Sequence, residues 1–576
     1  MQHCISRLRA TTSPICTASH HRAVSTSYSG VGALYRMSSS AATGPRRDYD
    51  AALAHLSMLA SNRAVTTLFE KPRQDAAAAA QPPSSSSPPA QDLNAQAIPE
   101  MLMWLRRAGY TPQDLAAMRH IHVAGTKGKG SVCAFATSLL RAAGPRVGPV
   151  GTYTSPHLVS PRERIAIDGA PVSRAVFAAA FWELWDRFTA AAVADGQRPR
   201  ARFPAAAVAD GQRPRAVAEG PASKPFYFRF LTILAWHVFL RAGVRDVVVE
   251  CGIGGEHDAT NVLPAAAVSA AVVTQLGVDH VAMLGGTVEE IAWHKAGVFK
   301  PGVAAFTLGD APASVMAVLR RRAAEKGARL VEVDAPAADA WEGVVVGGGE
   351  APLLLGGDFQ RRNQALAVLA VQEHLGVRDE AASTAETLAR LPEGMAAALR
   401  GATLRGRCEV LPDEAHGVRW LLDGAHTRDS ITQVARWLVK SLDGDGEETV
   451  ALVFNQQDRD APALLAHLVE AVQAAAEAEG GGRGEVVFSR ALFTRNEQEA
   501  AEHDGDLGVQ KALAETMARL APGCQVSVFD NVRSAVAEAR RAAAVAGGGK
   551  VQKVLVTGSL HLVGGIMRVI EPDSLL

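Results

Sequence analysis

The ten residues from His122 to Ser131, HVAGTKGKGS, constrain the fold of this chain more than any other stretch. Ile121 to Ala124 has the apolar pattern of the end of a buried strand, and Val132 to Ala143 has the composition of a helix. The glycines between them allow backbone N–H groups to point at an anion, and the N-terminus of a following helix adds its positive end. The pattern predicts a phosphate-binding loop that joins a strand to a helix.

The residues of this loop have separate expected roles. Lys129 would neutralise charge on a transferable phosphate and is a predicted catalytic residue, and Ser131 is a predicted ligand of Mg²⁺. The spacing departs from the standard Walker motif because Gly130 separates Lys129 from Ser131. A glycine turn without a ligand is the alternative, although such turns rarely carry a lysine and a serine in this order. The predicted nucleotide contacts of the loop are Gly125, Thr126, Gly128, Lys129, Gly130 and Ser131.

Length and composition narrow the class of protein. A chain of 576 residues should hold two or three domains. Lys plus Arg and Asp plus Glu are equal at 59 each, so the net charge does not indicate a nucleic-acid or membrane partner. The six cysteines lack metal-ligand spacing, and the longest apolar run, Phe230 to Leu240, is too short to cross a bilayer. We expect a soluble protein without membrane insertion.

The first 47 residues are rich in Arg, Ser and Thr and contain no acidic residue. This composition predicts a mitochondrial or chloroplast transit peptide, with a merely disordered tail as the alternative. An internal start at Met37 would give a cytosolic form. A helical segment is expected over 48–74, because Leu53, Leu56 and Leu59 share a helical spacing. Residues 75–97 are expected to form a low-complexity linker.

Strand-like and helix-like segments alternate over the rest of the chain, which predicts an α/β fold with a mostly parallel sheet. We expect one domain over 98–400 and a second over 401–576. A duplicated stretch, AAAVADGQRPRA, at 190 and again at 205 indicates a flexible insertion over about 190–222, and a weaker insertion is expected at 336–350. The expected strands after the loop are 164–167, 246–250, 271–275, 419–422, 449–454, 485–488, 525–529 and 553–557.

Polar residues follow several of these strands. Ser131, Glu250 and His280 come just after strand ends, which meet at one edge of a parallel sheet, so they are the predicted ligands of Mg²⁺. Lys295 lies in a helix-like stretch with apolar neighbours. A buried lysine can lose its proton and take up CO₂ as a carbamate, although an ordinary lysine with its head in solvent is the simpler interpretation. Asp423 and His426 again follow a strand.

Six separated motifs together resemble the folylpolyglutamate synthase family, a relative of the Mur ligases. They occur in order between Tyr49 and the GSLHLVGG near the C-terminus. The resemblance implies a P-loop-containing, mostly parallel ATPase domain followed by a smaller Rossmann-like α/β domain. The motifs are HVAGTKGKGS, TSPHLVSPRERI, FRFLTILAWHVF, VVVECGIGGEHDATN, LGVDHVAMLGGTVEEIAWHKAGVFKPG and LLDGAH.

The resemblance also implies an activity, the ADP-forming ligation of L-glutamate to the γ-carboxylate of tetrahydrofolate. In such enzymes the carboxylate attacks the γ-phosphate of ATP to give an acyl phosphate, and the amine of glutamate then displaces phosphate. Mg²⁺ and Lys129 would neutralise the charge of two approaching anions. The resemblance adds a monovalent cation such as K⁺, folate and glutamate as small-molecule partners, and a monomer.

Site residues follow from the resemblance, motif by motif. His280 and Lys295 join Lys129 as catalytic residues, with Glu250 and His280 near a second metal and Lys295 as the carbamate. The implied nucleotide contacts outside the loop are Asn363, Arg407, Asp423 and His426. The implied substrate residues are Ser155, Pro156, His157, Arg164, Asp258, Thr260 and Asn261.

Two rival functions stay open. Dihydrofolate synthase uses the same machinery to join glutamate to dihydropteroate, and a bifunctional enzyme would do both. A P-loop switch protein, which hydrolyses nucleotide to change conformation, is less favoured because the chain lacks an N-K-x-D base-reading motif.

Overall fold

The computed structural model describes residues 46–59, 90–195, 218–341, 360–442, 448–457, 460–478, 486–497, 506–546 and 551–572. The strands are β1 Arg119–Ala124, β2 Val150–Tyr153, β3 Ile165–Ile167, β4 Ala170–Pro171, β5 Asp246–Glu250, β6 Val268–Val273, β7 Ala304–Leu308, β8 Arg329–Val333, β9 Glu409–Asp413, β10 Val418–Leu422, β11 Glu448–Phe454, β12 Val486–Thr494, β13 Gln525–Phe529 and β14 Gln552–Thr557. The helices are α1 Tyr49–Ser57, α2 Ala90–Arg107, α3 Pro112–Leu115, α4 Lys129–Ala142, α5 Arg174–Ala194, α6 Tyr227–Arg241, α7 Val281–Leu284, α8 Val288–Lys295, α9 Ala313–Lys326, α10 Ala335–Ala340, α11 Gln360–His374, α12 Thr384–Ala389, α13 Glu393–Arg400, α14 Arg428–Lys440, α15 Ala461–Ala478, α16 Gly508–Leu520, α17 Val532–Ala546 and α18 Leu560–Ile570.

The first sheet has the strand order β4-β3-β2-β5-β1-β6-β7-β8. The six strands β2, β5, β1, β6, β7 and β8 run parallel in this order, whereas β3 and β4 form an antiparallel edge. Strand β5, DVVVE, is buried along its whole length, as expected for a strand covered on both faces. Strand β1 lies between β5 and β6, so the phosphate-binding loop emerges from the middle of the sheet.

The second sheet has the order β13-β12-β11-β14-β10-β9. Strands β10 to β14 pair parallel with one another, and β9 at the edge pairs antiparallel with β10. Two parallel sheets separated in sequence confirm the predicted α/β class. Ligands of such sheets bind beyond the carboxyl ends of the strands, where the chain leaves the sheet for a helix.

Helices cover both faces of the first sheet. Helices α4, α11 and α13 pack on one face through a continuous apolar cluster that includes Phe135, Leu139 and Leu366. Helices α8 and α9 cover the other face around Phe299 and Leu319. At the end of the sheet opposite to the phosphate-binding loop, His374 bonds Asp246 at 2.9 Å and Ser269 at 2.6 Å, which fixes the end of α11 to β5 and β6.

Several predicted boundaries need correction. The predicted linker 75–97 ends too late, because α2 begins at Ala90. Residues 90–97 contain no Pro or Gly and therefore continue into the helix, whereas 75–89 lie outside the described residues. Helix α5 extends to Ala194, with Ala192 buried, so the predicted insertion begins later than 190. Helix α10 occupies the start of the second predicted insertion.

Most predicted strands occur with ends shifted by one to a few residues. Strand β6 begins at Val268 rather than 271, and β12 extends to Thr494 rather than 488. Helix α1 ends at Ser57, so within the predicted segment 48–74 the described helix covers nine residues. Among the described residues, no helix combines the length and the apolarity that a membrane span requires.

Candidate active site

A cleft of about 2550 Å³ lies between the two sheets. The loop after β1 and the end of β5 line it on one side, and the loop before β9 and the start of α14 line it on the other. Lys129, Glu250 and His280 from the first side therefore face Arg407 and His426 from the second. The cleft collects residues that are far apart in the sequence, as the Lys127–Asp429 pair with a separation of 302 illustrates.

The phosphate-binding loop depends on two glycines with positive φ, Gly125 at 146° and Gly128 at 85°. A Cβ at Gly128 would lie 2.3 Å from Asn363 Oδ1, so a larger residue does not fit. Lys129 is the first residue of α4 and folds back over the loop, where its Nζ donates to the carbonyl of Gly125 at 3.1 Å. Its ammonium group is therefore held above the position where the loop N–H groups would hold phosphate.

Ser131 is buried in the first turn of α4, and its Oγ accepts a hydrogen bond from Gln360 Nε2 at 3.2 Å. Gln360 Oε1 in turn accepts from Asn363 Nδ2 at 2.8 Å. This chain of bonds from α11 orients the hydroxyl that was predicted to bind Mg²⁺. Sequence reasoning identified Asn363 but missed Gln360, although a position three residues earlier on a helix lies on the same face.

Glu250 is buried at the end of β5, and its Oε2 accepts the N–H of Ser155 at 2.8 Å. Burial raises the pKa of Glu250, and the positive charges of Lys129 and Arg407 oppose that effect. His280 lines the same cleft with a side chain that is 45% exposed and a φ of 51°, a conformation that favours glycine. Such backbone strain is concentrated at functional sites.

The predicted metal ligands fit an ion that is shared with phosphate rather than enclosed by protein. Ser131, Glu250 and His280 all line the cleft. Among the described residues, no group of three or more His, Cys, Asp or Glu side chains is arranged to hold a metal by itself. Hydroxyl and carboxylate oxygens are the ligands that Mg²⁺ prefers, and it is commonly bound by one or two such groups together with substrate phosphates.

Lys295 lies at the end of α8, is 3% exposed, and does not line the cleft directly. Its Nζ donates to the carbonyl of Gly125 at 2.7 Å, the same oxygen that Lys129 contacts. Burial and the nearby charge of Lys129 lower the pKa of Lys295 to about 7. A substantial fraction of this amine is therefore neutral at neutral pH, whereas the simpler interpretation of the sequence placed the head of this lysine in solvent.

The second sheet contributes a group of residues around Asp423. Its carboxylate accepts the N–H groups of Cys408 at 2.8 Å and Ala425 at 2.9 Å. Burial raises the pKa of Asp423, and Arg407 opposes that effect. Cys408 has a φ of 47°, which turns the chain so that Arg407 lines the cleft. His426 lines the cleft as well, with its Nδ1 3.1 Å from the carbonyl oxygen of Gly424.

An ion pair crosses the cleft at the phosphate-binding loop. Lys127 Nζ lies 2.8 Å from Asp429 Oδ2 in the first turn of α14. The Asp429 side chain is 85% exposed, so the pair contributes at most about 1 kcal/mol. Sequence reasoning assigned no role to either residue, because nothing in a sequence pattern shows which charges meet across two domains.

Residues 155–160, here called the substrate loop, run from Glu250 toward the second sheet. Ser155, Pro156 and Arg164, which the resemblance implies as substrate residues, line the cleft. His157 lies behind them, and its Nδ1 accepts from Arg164 Nε at 2.9 Å. The Glu163 carboxylate accepts three consecutive N–H groups of the loop, at Leu158, Val159 and Ser160.

The structure does not bring Asp258, Thr260 and Asn261 to the cleft, where the resemblance had placed them. Asp258 accepts the N–H groups of Gly252 and Ile253, which do line the cleft, and Thr260 contacts both Asp258 and His122. Asn261 Nδ2 donates to the carbonyls of Glu256 and Gly297. These side chains hold the turn after β5 from behind, through the hydrogen bonds that they make within the protein.

Helix α1 supports the substrate loop from outside the cleft. Tyr49 is buried, and its hydroxyl lies 2.8 Å from Ser160 Oγ. The guanidinium groups of Arg162 and Arg174 lie over its ring, 5.6 and 5.4 Å from the centroid. Such cation–π contacts add to the packing of Tyr49 against Phe177. The position of the loop thus depends on a residue at the very start of the described chain.

Replacing Tyr49 with phenylalanine should raise the KM for a substrate that binds along this loop about three- to tenfold, with a smaller change in kcat. One hydrogen bond contributes about 0.5–1.5 kcal/mol, and here it acts on the position of a substrate-binding loop. Steady-state kinetics would measure the split. Tyr110→Phe is the matched control, because it removes a similar bond to His237, at 2.6 Å, away from the cleft. Equal KM values for the two variants would mean that Tyr49 has only a structural role.

The comparisons with known proteins agree with this geometry. The chain is 34% identical over 490 residues to a folylpolyglutamate synthase of Saccharomyces cerevisiae, covering 83% of this chain and 82% of the relative. A search of protein-family models gave no match.

Solved structures show the same fold. The folylpolyglutamate synthase of Mycobacterium tuberculosis complexed with ADP and AMPPCP is 24% identical with a TM-score of 0.60, over 84% of this chain and 98% of that one. Escherichia coli FolC in complex with DHPP and ADP is 22% identical with a TM-score of 0.54, over 85% and 99%. From the sequence identity to the yeast enzyme over most of both chains, we conclude that the chain belongs to the folylpolyglutamate synthase family.

Proposed function

We propose that this protein uses ATP to ligate L-glutamate to the γ-carboxylate of a folate, building folylpoly-γ-glutamates. The observation that carries the proposal is the convergence of the phosphate-binding loop, Glu250 and the Arg407–Asp423 group of the second sheet in one cleft. Family membership supports the same reaction, since the yeast relative is named for it. The enzyme is thus a ligase that forms a carbon–nitrogen bond.

The proposed reaction has two steps, and the residues of the cleft balance the negative charge in the first. A carboxylate resists substitution until it is phosphorylated, and its attack on ATP brings two anions together. Lys129 and the N–H groups at the start of α4 would hold the γ-phosphate and balance the charge that develops there. The products of this step are an acyl phosphate and ADP. The glutamate amine then attacks the acyl carbon, and phosphate leaves.

Closure of the cleft would protect the acyl phosphate from hydrolysis. Two contacts between the sides already exist. Lys127 of the phosphate-binding loop pairs with Asp429, and Arg568 donates to the carbonyl of Val159 in the substrate loop at 2.7 Å. A closed cleft excludes water and strengthens the electrostatic contacts within it. Arg407 and His426 would reach the bound nucleotide from the second side only in this arrangement.

The proposal includes metal ions and a modified lysine. Ser131 and Glu250, with His280, would hold Mg²⁺, which supplies positive charge to the phosphates of ATP. The buried and partly neutral Lys295 would carry a carbamate, and a monovalent cation such as K⁺ would complete the site. Mass spectrometry of the intact protein in bicarbonate buffer tests this modification, with a Lys295→Ala variant for comparison. A carbamate would add the mass of CO₂, ~44 Da, to the parent protein and not to the variant.

Incorporation of labelled glutamate tests the function directly. Purified protein without its first 47 residues would be given ATP, Mg²⁺ and K⁺, with tetrahydrofolate or dihydropteroate as the acceptor. We expect labelled product with tetrahydrofolate alone. Product with dihydropteroate alone would assign the protein as a dihydrofolate synthase, and product with both would show a bifunctional enzyme. ADP release that is independent of glutamate would favour a nucleotide switch.

We also propose that the protein acts in a mitochondrion or chloroplast, as a monomer, with a cytosolic form from Met37. The arginine-rich composition of residues 1–47 supports the organelle. Asp48 caps α1 through a 2.9 Å bond to the N–H of Ala51, so processing should leave Asp48 in place. N-terminal sequencing of the mature protein would show whether residues 1–47 are removed and whether Met37 serves as a start. Sedimentation would give the oligomeric state.

A further inference from the structure

The substrate loop connects the phosphate-binding end of the cleft to α18. At one end the N–H of Ser155 bonds Glu250. At the other end Arg568 Nη2 donates to the carbonyl of Val159 at 2.7 Å, and Gly564 packs against the main chain of Leu158. Because the γ-carboxylate that reacts must lie beside the phosphates, the rest of the acceptor has to extend from there, and the loop offers a path toward α18.

Side chains of basic residues border this path from both sides of the cleft. Arg164 lies four residues after the substrate loop, whereas His561 and Arg568 project from α18, and all three line the cleft. His157 lies among them. Burial and the positive charges of Arg164, Arg568 and His561 lower the pKa of His157 to about 3, so this ring remains neutral. Arg164 Nε donates to His157 Nδ1 at 2.9 Å, so the neutral ring helps to hold that guanidinium group in place.

Among the residues that the structure describes, the acidic groups near this region have other partners. The Glu163 carboxylate accepts the three N–H groups of the loop, and Glu250 lies at the metal end and accepts from Ser155. Glu571 pairs with Arg405, and Glu497 pairs with Arg495. An anionic ligand that enters the cleft would therefore meet Arg164 and Arg568 without displacing a carboxylate from either of them.

We propose that Arg568, together with Arg164 and His561, forms a subsite for the α-carboxylates of a γ-linked glutamate tail on the acceptor. This inference rests on the proposed function. Each glutamate added to the tail leaves one α-carboxylate behind, and the new γ-carboxylate must return to the phosphates. The older carboxylates therefore shift along the substrate loop toward α18. Guanidinium groups bind carboxylates in a bidentate manner, which suits a tail of repeated identical anions.

The subsite makes acceptor length a determinant of affinity. An acceptor with a single glutamate places no additional α-carboxylate at α18, whereas an acceptor with three glutamates does. Isothermal titration of tetrahydropteroyl-mono- and triglutamate, in the presence of ADP and Mg²⁺, would measure the difference. We expect the full-length enzyme to bind the triglutamate more tightly, and this advantage should decrease in high salt because exposed charge pairs are screened.

Arg568→Gln should weaken binding of the triglutamate about tenfold or more, and binding of the monoglutamate much less. Arg568→Lys keeps the charge and should restore part of the preference. It is also the safer variant if the glutamine disturbs the contact with Val159. Arg533→Gln, on the exposed surface of α17, is the matched control for loss of one charge. It should leave the ratio of the two affinities unchanged.

Equal weakening for both acceptors, or none for either, would overturn the subsite. The result is separable from a failure of the proposed function, because incorporation of glutamate into the monoglutamate acceptor is measured independently. A protein that ligates glutamate but binds both acceptors equally would support the proposed function and contradict the subsite. His561→Gln provides a second test, since it should reduce the same preference without touching the Val159 contact.

Discussion

Lys129→Ala should reduce glutamate ligation by at least about 10²–10³-fold, the loss that follows removal of one preorganised donor from a developing charge. Among the described residues, the ammonium group of Lys129 hydrogen-bonds to loop carbonyls, at Gly125 and Thr126, and the side chain is not part of the apolar core. The fold should therefore remain, with a thermal midpoint close to that of the parent protein. Labelled glutamate incorporation and circular dichroism on heating would measure the two properties.

The control for Lys129 is Lys511→Ala, which removes an exposed lysine from α16 and should leave ligation unchanged. Titration of ADP into the Lys129 variant adds a second measurement. If Lys129 acts on the transferable phosphate, which ADP lacks, its loss should lower the affinity for ADP less than it lowers turnover. Turnover near that of the parent enzyme would show that the central assignment of the phosphate-binding loop is wrong.

Gly564→Ala should lower both stability and activity, the second large effect that the structure predicts. An alanine inside a helix normally stabilises a protein by about 0.5–1 kcal/mol relative to glycine. Here a Cβ would lie 2.1 Å from the carbonyl oxygen of Leu158, so α18 must move away from the substrate loop. Overpacking of this kind costs about 1–3 kcal/mol, and it separates the two sides of the cleft. We expect at least about a tenfold lower kcat/KM, because a shift of one side of the cleft misplaces the groups that must meet around the substrate.

Gly394→Ala provides the matched control in α13. A Cβ there would meet no atom within 4 Å, so the substitution should be neutral or stabilising, with unchanged kinetics. Denaturant unfolding would give the two free energies, and their opposite signs would distinguish the docking contact from helix propensity. If Gly564→Ala also stabilised the protein and kept full activity, contact between α18 and the substrate loop would not be required for ligation.

The phosphate-binding loop was predictable because its chemistry is local. Loop, strand and helix lie within about twenty consecutive residues, and glycine, lysine and serine each serve a distinct physical need there. The parallel strands were also predictable, since runs such as DVVVE are apolar over a length that suits a buried strand. The apolar neighbours of Lys295 were visible in the sequence, but the simpler interpretation placed its head in solvent, and only the structure shows the side chain buried.

Contacts between distant segments were not predictable in this way. Gln360 reaches Ser131 across 229 positions, and Tyr49 reaches Ser160 across 111. Asp258, Thr260 and Asn261 were expected beside the substrate, but the structure engages them behind the turn after β5. Motif matching identifies which residues a site requires. It does not show whether a polar side chain faces the cleft or supports the backbone that does.

The sequence by itself determined the fold class, the phosphate-binding chemistry and the family, because each depends on short patterns that specify local structure. Only the tertiary structure decided how the two sheets share one cleft, which charges meet across it and which residues support the substrate loop. The reason is physical: hydrogen bonds and packing depend on distance in space, and the chain brings Lys127 to Asp429, or Leu158 to Gly564, only after both sheets have formed.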